Sequence, residues 1–313
     1  MTSLVLFSPS GRVPDAAPLQ RAASRLAAHG FTVRRDASVL ARRQRFAGDD
    51  ATRLAAIHRV ADAAPSIALA SRGGYGLTRL LDAIDWARVA RSVNAGTRWV
   101  GHSDFTAFQL GLLAHARRAD EARTWAGPLA CADFGGAEPA AGGAPAVDEV
   151  TEACFLEAMG GELEAVGFRT DAGFDGLSVK GLLWGGNLCM VNSLLGTPHW
   201  PARRIKGGVL FLEDVNEHPY RIERSLLQLH QAGVLDAQAA VVLGAFTDYV
   251  PTPLDKGYGL ATVVSYLRTL TRTPILTGLP FGHVPTKVSL PVGARVELLV
   301  QGRDALLGWP HGH

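Results

Sequence analysis

Short apolar runs alternate with stretches of helical period through the first half of the chain. Residues 4–7 are apolar and stop at Ser8-Pro9-Ser10-Gly11. Leu19, Ala22 and Leu26 then recur at helical spacing until Gly30, and residues 31–33 form a second short run. Run, helix, run is the βαβ signature of a doubly wound parallel sheet. The alternation continues with a helix over 51–64, a strand over 66–70 and a helix over 77–84. The apolar pair Trp99-Val100 follows, then a helix with Phe105, Phe108 and Leu112 at i, i+3, i+7. The second half reads differently. Residues 163–166 and 177–181 alternate as half-buried strands do, while 209–212 and 240–244 are continuous apolar strands. Helices are expected over 184–195, 221–231 and 260–270, a short strand over 274–276, and a closing strand over 294–300. Between the halves, 131–150 is rich in Gly, Ala and Pro, with a helix over 149–159 beside it. The expected organisation is an α/β domain over 1–135, a linker over 136–170 and a second domain over 171–313.

Composition narrows the function. Of 313 residues, 47% are hydrophobic and 19% charged, enough apolar surface for two cores. A net charge of +2 gives no field that favours nucleic acid or an anionic membrane, so neither partner is expected. Cys131, Cys154 and Cys189 form no C-x-x-C pair, which argues against a zinc site and a disulfide framework and fits a reducing compartment. The first residues lack the basic flank of a signal peptide, and no apolar run nears the ~20 residues of a membrane helix, so a cytoplasmic protein is expected. The loop after the first strand lacks G-x-G-x-x-G, and no G-x-x-x-x-G-K-[ST] or H-E-x-x-H occurs. No nicotinamide, flavin, nucleotide or metal cofactor is therefore expected.

The candidate chemistry centres on Gly101-His102-Ser103-Asp104, where a strand turns into a helix. Such a corner exposes a nucleophilic serine and aims the next backbone N–H at a developing oxyanion. Ser and Asp are equally at home there as helix caps, and Phe105 stands where a G-x-S-x-G elbow has its second glycine. Ser71-Arg72-Gly73-Gly74-Tyr75-Gly76 ends another strand and could cradle an oxyanion or carboxylate on its N–H groups, or be a tight turn. A serine nucleophile needs a base, and the base needs an acceptor. His283 beside Gly282 is the histidine placed at a strand end. Glu213 and Asp214 both end the 209–212 strand and qualify as acceptor. Ser103, Glu213 and His283 run in the order Ser, acid, His.

Several segments together resemble the LD-carboxypeptidase family, serine peptidases of peptidoglycan recycling. They are Ser71–Gly76, Gly101–Ala107, Trp184-Gly185-Gly186-Asn187-Leu188, Leu212-Glu213-Asp214-Val215-Asn216-Glu217-His218-Pro219-Tyr220-Arg221-Ile222-Glu223-Arg224 and Gly278-Leu279-Pro280-Phe281-Gly282-His283. They stand in the family's order across most of the chain. The resemblance implies an N-terminal flavodoxin-like α/β domain, a β-rich C-terminal domain and a homodimer. It makes Ser103 the nucleophile, Glu213 the triad carboxylate and His283 the base. The implied substrate is a murein peptide, cut between an L-centre and D-alanine. Backbone N–H groups of Asp104 and of Gly73 or Gly74 would hold the oxyanion, one such donor contributing roughly 3–4 kcal/mol. Arg72 is the candidate for the substrate's terminal carboxylate. Trp184 and Asn187 line the cleft or, equally, serve as core packing and helix cap. A histidine base with the ordinary pKa of about 6.5 predicts activity that falls on the acid side. Two other functions fit the same residues: an immunity-type peptidase of this family acting on a peptidyl-nucleotide antibiotic, and an α/β ligand-binding protein without turnover. The Ala- and Gly-rich stretch over 137–145 departs from the family.

Overall fold

The computed structural model describes residues 2–117, 122–137, 146–201 and 205–310. In chain order the elements are β1 (Ser3–Phe7), α1 (Ala16–Ala28), β2 (Thr32–Arg35), α2 (Asp50–Ala63), β3 (Ile67–Ala70), α3 (Trp86–Asn94), β4 (Arg98–Gly101), α4 (Phe105–His115), β5 (Thr124–Ala126), α5 (Ala130–Asp133) and α6 (Glu149–Gly160). There follow β6 (Ala165–Arg169), β7 (Ser178–Asn187), α7 (Leu188–Leu194), β8 (Val209–Val215), α8 (Pro219–Gln231), β9 (Ala240–Thr247), α9 (Leu260–Leu270), β10 (Ile275–Leu276), β11 (Leu290–Val292), β12 (Arg295–Gln301) and β13 (Asp304–Gly308).

The chain forms two compact units, Met1–Glu162 with Pro285–Gly293, and Leu163–Val284 with Ala294–His313. The segment 136–170 thus divides between them instead of linking them. Its helix α6 is core to the first unit, where Phe155 packs edge-on against Phe31 and Phe134 at 6.3 and 5.1 Å. Its strand β6 pairs with β13 in the second. Residues 138–145 of the Ala- and Gly-rich stretch lie outside the described residues.

In the first unit the strand order is β11-β5-β4-β3-β1-β2, parallel throughout except for β11. The parallel part runs 2-1-3-4-5, the flavodoxin-like order, whose ligands bind beyond the carboxyl ends of the strands. Helices cover both faces, so β3 is buried at every position and its sequence Ile-Ala-Leu-Ala shows no alternation. The helix expected over 77–84 is a single 3₁₀ turn at Leu77–Arg79. Leu77 N–H is drawn to Asp104 Oδ2 at 3.0 Å, and regular helix resumes only where the Asp85 side chain caps α3 through Arg88 N–H at 2.9 Å.

In the second unit the order is β10-β9-β8-β7-β12-β13-β6, parallel from β10 to β7 and antiparallel beyond. β12 alternates exposed and buried positions, as a strand with one wet face does. It is not the closing strand: it turns back into β13, with Gln301 opposite Asp304. β7 is longer than its sequence suggests, because Trp184–Gly186 pair in register with Leu210–Leu212 of β8 and the helix begins only at Leu188.

Candidate active site

The candidate residues fall in both units. In the first, Ser103 joins β4 to α4 with φ of +64°, the left-handed region that a side chain rarely occupies. The turn is held from below. Phe105 and Phe108 are fully buried, their rings 4.9 Å apart, and Trp99 and Phe7 pack against them at 5.0–6.1 Å. The helix-cap reading does not describe this corner. The N-cap position of α4 is Asp104, whose side chain makes no cap hydrogen bond. It turns instead to Leu77 N–H beyond the glycine loop. Burial pushes the Asp104 carboxyl above its ordinary range, opposed by hydrogen bonds from Ser10 and from the Leu77 and Gly76 N–H groups.

The glycine loop lies directly against the serine. A Cβ on Gly73 would stand 2.7 Å from Ser103 Cβ and 2.8 Å from its Oγ, so only glycine fits. Gly74 is exposed, and Gly11 N–H donates to Gly73 O at 3.1 Å. Fully buried Arg53 on α2 donates to Pro9 O and Gly76 O at 3.0 and 2.8 Å, tying the loops after β1 and β3 together. Sequence reasoning missed this brace, since a helical arginine looks like a solvated charge. Arg72 is half-buried and donates to Arg12 O at 2.9 Å. Burial raises the nearby Cys131 thiol to about 11, which leaves it unreactive near neutrality.

In the second unit His283 Nδ1 lies 2.8 Å from Glu213 Oε2. Glu213 is 0% exposed and the histidine side chain 23%, so a buried acceptor orients an accessible ring. The strand geometry explains how they meet. β9 carries a bulge opposite Glu213: Leu212 pairs with Leu243, but Asp214 pairs with Phe246. Ala245 N–H in the bulge donates to Phe281 O at 2.8 Å, and Thr247 Oγ1 donates to His283 O at 3.3 Å, so the histidine loop is seated along β9. Gly282 takes φ of +138°, and a Cβ there would stand 3.2 Å from Glu213 Oε2.

Of the two carboxylates left open by the sequence, Glu213 is the partner of His283. Asp214 faces Asn187 Nδ2 at 2.9 Å, Val215 N–H at 2.9 Å and Cys189 N–H at 3.0 Å. Burial drives its carboxyl up to about 6; the Val215 and Cys189 N–H groups and the Asn187 amide oppose the rise, and the charge of Glu213 adds to it. Asn187 caps α7, accepting from Met190 N–H at 3.2 Å, and also donates to Glu213 Oε1 at 3.2 Å. Trp184 is core: it is 0% exposed, its indole N–H donates to Gln238 at 2.8 Å, and its ring meets Trp200 edge-on at 5.6 Å. Of the two readings left open for Trp184, cleft lining and core packing, its burial fits packing. His102 is buried, with Nδ1 at 2.8 Å from Gly127 O, and His115 stacks on Trp86. Among the described residues, no three His, Cys, Asp or Glu side chains cluster as metal ligands do.

Comparison with known proteins identifies the family. The sequence pattern of the LD-carboxypeptidase N-terminal domain matches residues 4–120, and that of the LD-carboxypeptidase C-terminal domain matches 180–298. The murein tetrapeptide carboxypeptidase of Pseudomonas aeruginosa is 28% identical over 90% of this chain and 88% of its own. The crystal structure of muramoyltetrapeptide carboxypeptidase from Oxalobacter formigenes is 39% identical, covers 98% of both chains and superposes with a TM-score of 0.86. MccF in complex with glutamyl sulfamoyl guanosine covers 100% of this chain and 97% of its own with a TM-score of 0.83; at 18% identity the likeness is one of fold.

Proposed function

This chain belongs to the LD-carboxypeptidase family of serine-type carboxypeptidases, and from that premise we propose that it removes the terminal D-alanine of a murein tetrapeptide. The observation that carries the reading is the buried Glu213 carboxylate, whose one oxygen holds Nδ1 of an accessible imidazole. That contact fixes the tautomer in which Nδ1 carries the proton and Nε2 is the basic nitrogen. Ser103 Oγ attacks the carbonyl carbon of the L-centre, and His283 Nε2 takes the hydroxyl proton. Asp104 N–H and the N–H of Gly73 or Gly74 receive the oxyanion. On collapse the C–N bond breaks and the imidazolium protonates the leaving amine of D-alanine. Water, deprotonated by His283, then cleaves the ester and releases the tripeptide and Ser103 Oγ–H. Arg72 is the group proposed for the terminal carboxylate.

The likeness to the Oxalobacter enzyme favours the murein substrate over the peptidyl-nucleotide substrate of an immunity-type peptidase. The same proposal places the reaction in cytoplasmic peptidoglycan recycling. Cys131, Cys154 and Cys189 are in no disulfide, as in a reducing compartment. It also carries the family's homodimer, which light scattering reads directly. The test is mass spectrometry of murein tetrapeptide after incubation. Loss of one D-alanine by the wild type, absent in Ser103→Ala, is the expected result. An intact tetrapeptide beside a cleaved peptidyl-nucleotide would select the immunity reading, and turnover by Ser103→Ala would end the serine mechanism.

A further inference from the structure

We propose that Asp214 is a positioning residue for the Glu213–His283 pair, acting through the side-chain amide of Asn187. The inference rests on the roles given above to Glu213 and His283.

An asparagine amide can be turned over, presenting oxygen where nitrogen stood. Here three groups choose its orientation. Met190 N–H requires the oxygen, at 3.2 Å, while two acceptors require the nitrogen: Asp214 Oδ1 at 2.9 Å and Glu213 Oε1 at 3.2 Å. Asp214 is the shorter of the two acid contacts. It is itself fixed by Val215 N–H on Oδ1 and by Cys189 N–H on Oδ2. With the amide held, Glu213 Oε1 is engaged and the carboxylate plane is set, leaving Oε2 for His283 Nδ1. Without Asp214 the amide keeps only its longer acid contact, to Glu213 Oε1, and holds the plane of that carboxylate less firmly. Residues 213 and 214 are neighbours on one strand, where side chains ordinarily point to opposite faces. Both are nonetheless buried, at 0% and 4% exposure, and both reach Asn187. Three elements, β7, α7 and β8, thus direct polar contacts to a carboxyl that no ion pair among the described residues accompanies.

The groups facing Asp214 define its titration. On its own strand stands Glu213, with His283 beyond it; α7 presents Cys189 and β7 presents Asn187; β9 opposite offers Phe246 and Thr247, which do not titrate. Protonating Asp214, whose carboxyl burial has raised to about 6, removes the charged acceptor that orients the amide. The acid limb of the activity profile therefore carries two protonations, that of His283 and that of Asp214.

The experiment compares wild type, Asp214→Asn, Asp214→Ala and Ser103→Ala. Expected for Asp214→Ala is a kcat loss on the order of 10–100-fold with KM changed less than about twofold. Asp214→Asn retains one acceptor and loses less. The acid limb of log kcat/KM against pH is steeper than one in the wild type and has slope near one in Asp214→Asn. Without substrate, the His283 Nδ1–H proton seen by NMR moves upfield or broadens in Asp214→Ala and not in Ser103→Ala. Should Asp214→Ala not fold, Asp214→Asn supplies both the slope and the spectrum. An unchanged Nδ1–H resonance with kcat within about twofold, or a KM rise with kcat unchanged, overturns the proposal. Turnover by Ser103→Ala overturns the functional reading instead, while the substrate-free spectrum still decides the positioning role.

Discussion

Ser103 sits where a side chain is strained, and the strain separates stability from activity at a single residue. A left-handed non-glycine residue costs roughly 1–2 kcal/mol. Ser103→Gly should therefore fold with a higher midpoint than Ser103→Ala, although both lose the hydroxyl and with it turnover; thermal unfolding of the two variants checks this. Gly73→Ala should displace the serine, because its new methyl would overlap Ser103 Cβ and Oγ. The expected result is a fall in kcat on the order of 100-fold and a midpoint lowered by an overpacking cost of about 1–3 kcal/mol. Asp214 adds a pH effect of definite sign. Its folded carboxyl titrates at about 6 against an ordinary 3.8, so the fold binds this proton more tightly than the unfolded chain does. The charged form then destabilises the fold as pH rises from about 4 to about 6, by roughly 3 kcal/mol in full. Wild type should lose stability relative to Asp214→Asn across that window, a difference denaturant titration would read. The Glu213–His283 contact and the strand-to-helix corner at Ser103 were legible in the sequence because a polar side chain at a strand end needs few neighbours to be recognised. Asn187 was legible as the cap of α7, but the contacts of Asp214 were not, because its partners stand on β7 and at the start of α7, more than twenty residues away in sequence.

Elements with their own stop signals were readable; those shaped by a neighbour were not. α1 and α8 lie where their periodicity and terminal glycines put them, within a turn at each end. The 3₁₀ turn at Leu77–Arg79 shows the other case: its helical pattern yields to a hydrogen bond that Leu77 N–H donates to Asp104, which no local rule contains. β7 likewise runs on through Gly185 and Gly186 because β8 pairs with it residue by residue. The β9 bulge decides where His283 is held, yet its sequence reads as an ordinary apolar strand. α4 is the element on which the elbow depends most. It is buried from Phe105 to Leu113, so it cannot shift without opening the core. Phe105→Ala should lower stability by about 3–5 kcal/mol. Because the lost ring lies under the turn, kcat should fall at temperatures where the variant is still folded, which separate unfolding and activity measurements would show.

At the scale of the molecule, two cores were foreseeable from length and composition, but not the route the chain takes between them. It leaves the first unit after Glu162, returns at Pro285 and departs again after Gly293. The returning piece, Pro285–Gly293, carries three residues of strand with a proline in the middle, a sequence that reads as loop; Pro291 is tolerated because β11 is an edge strand. It is fastened firmly. Lys287 and Asp133 form a buried ion pair, Lys287 N–H donates to Thr151 Oγ1 at 2.8 Å, and Ser289 N–H reaches Cys154 Sγ at 3.2 Å. Removing one partner of a buried pair strands the other, so Lys287→Met should cost about 3–5 kcal/mol, read by denaturant unfolding. The interleaving also constrains biosynthesis. The edge of β5 stays bare until residue 292 has left the ribosome, so the first unit waits on almost the whole polypeptide to finish its sheet. A nascent chain stalled after α6 would display that open edge, and binding by a chaperone at that length, released once β11 emerges, is the trace such an order of events would leave.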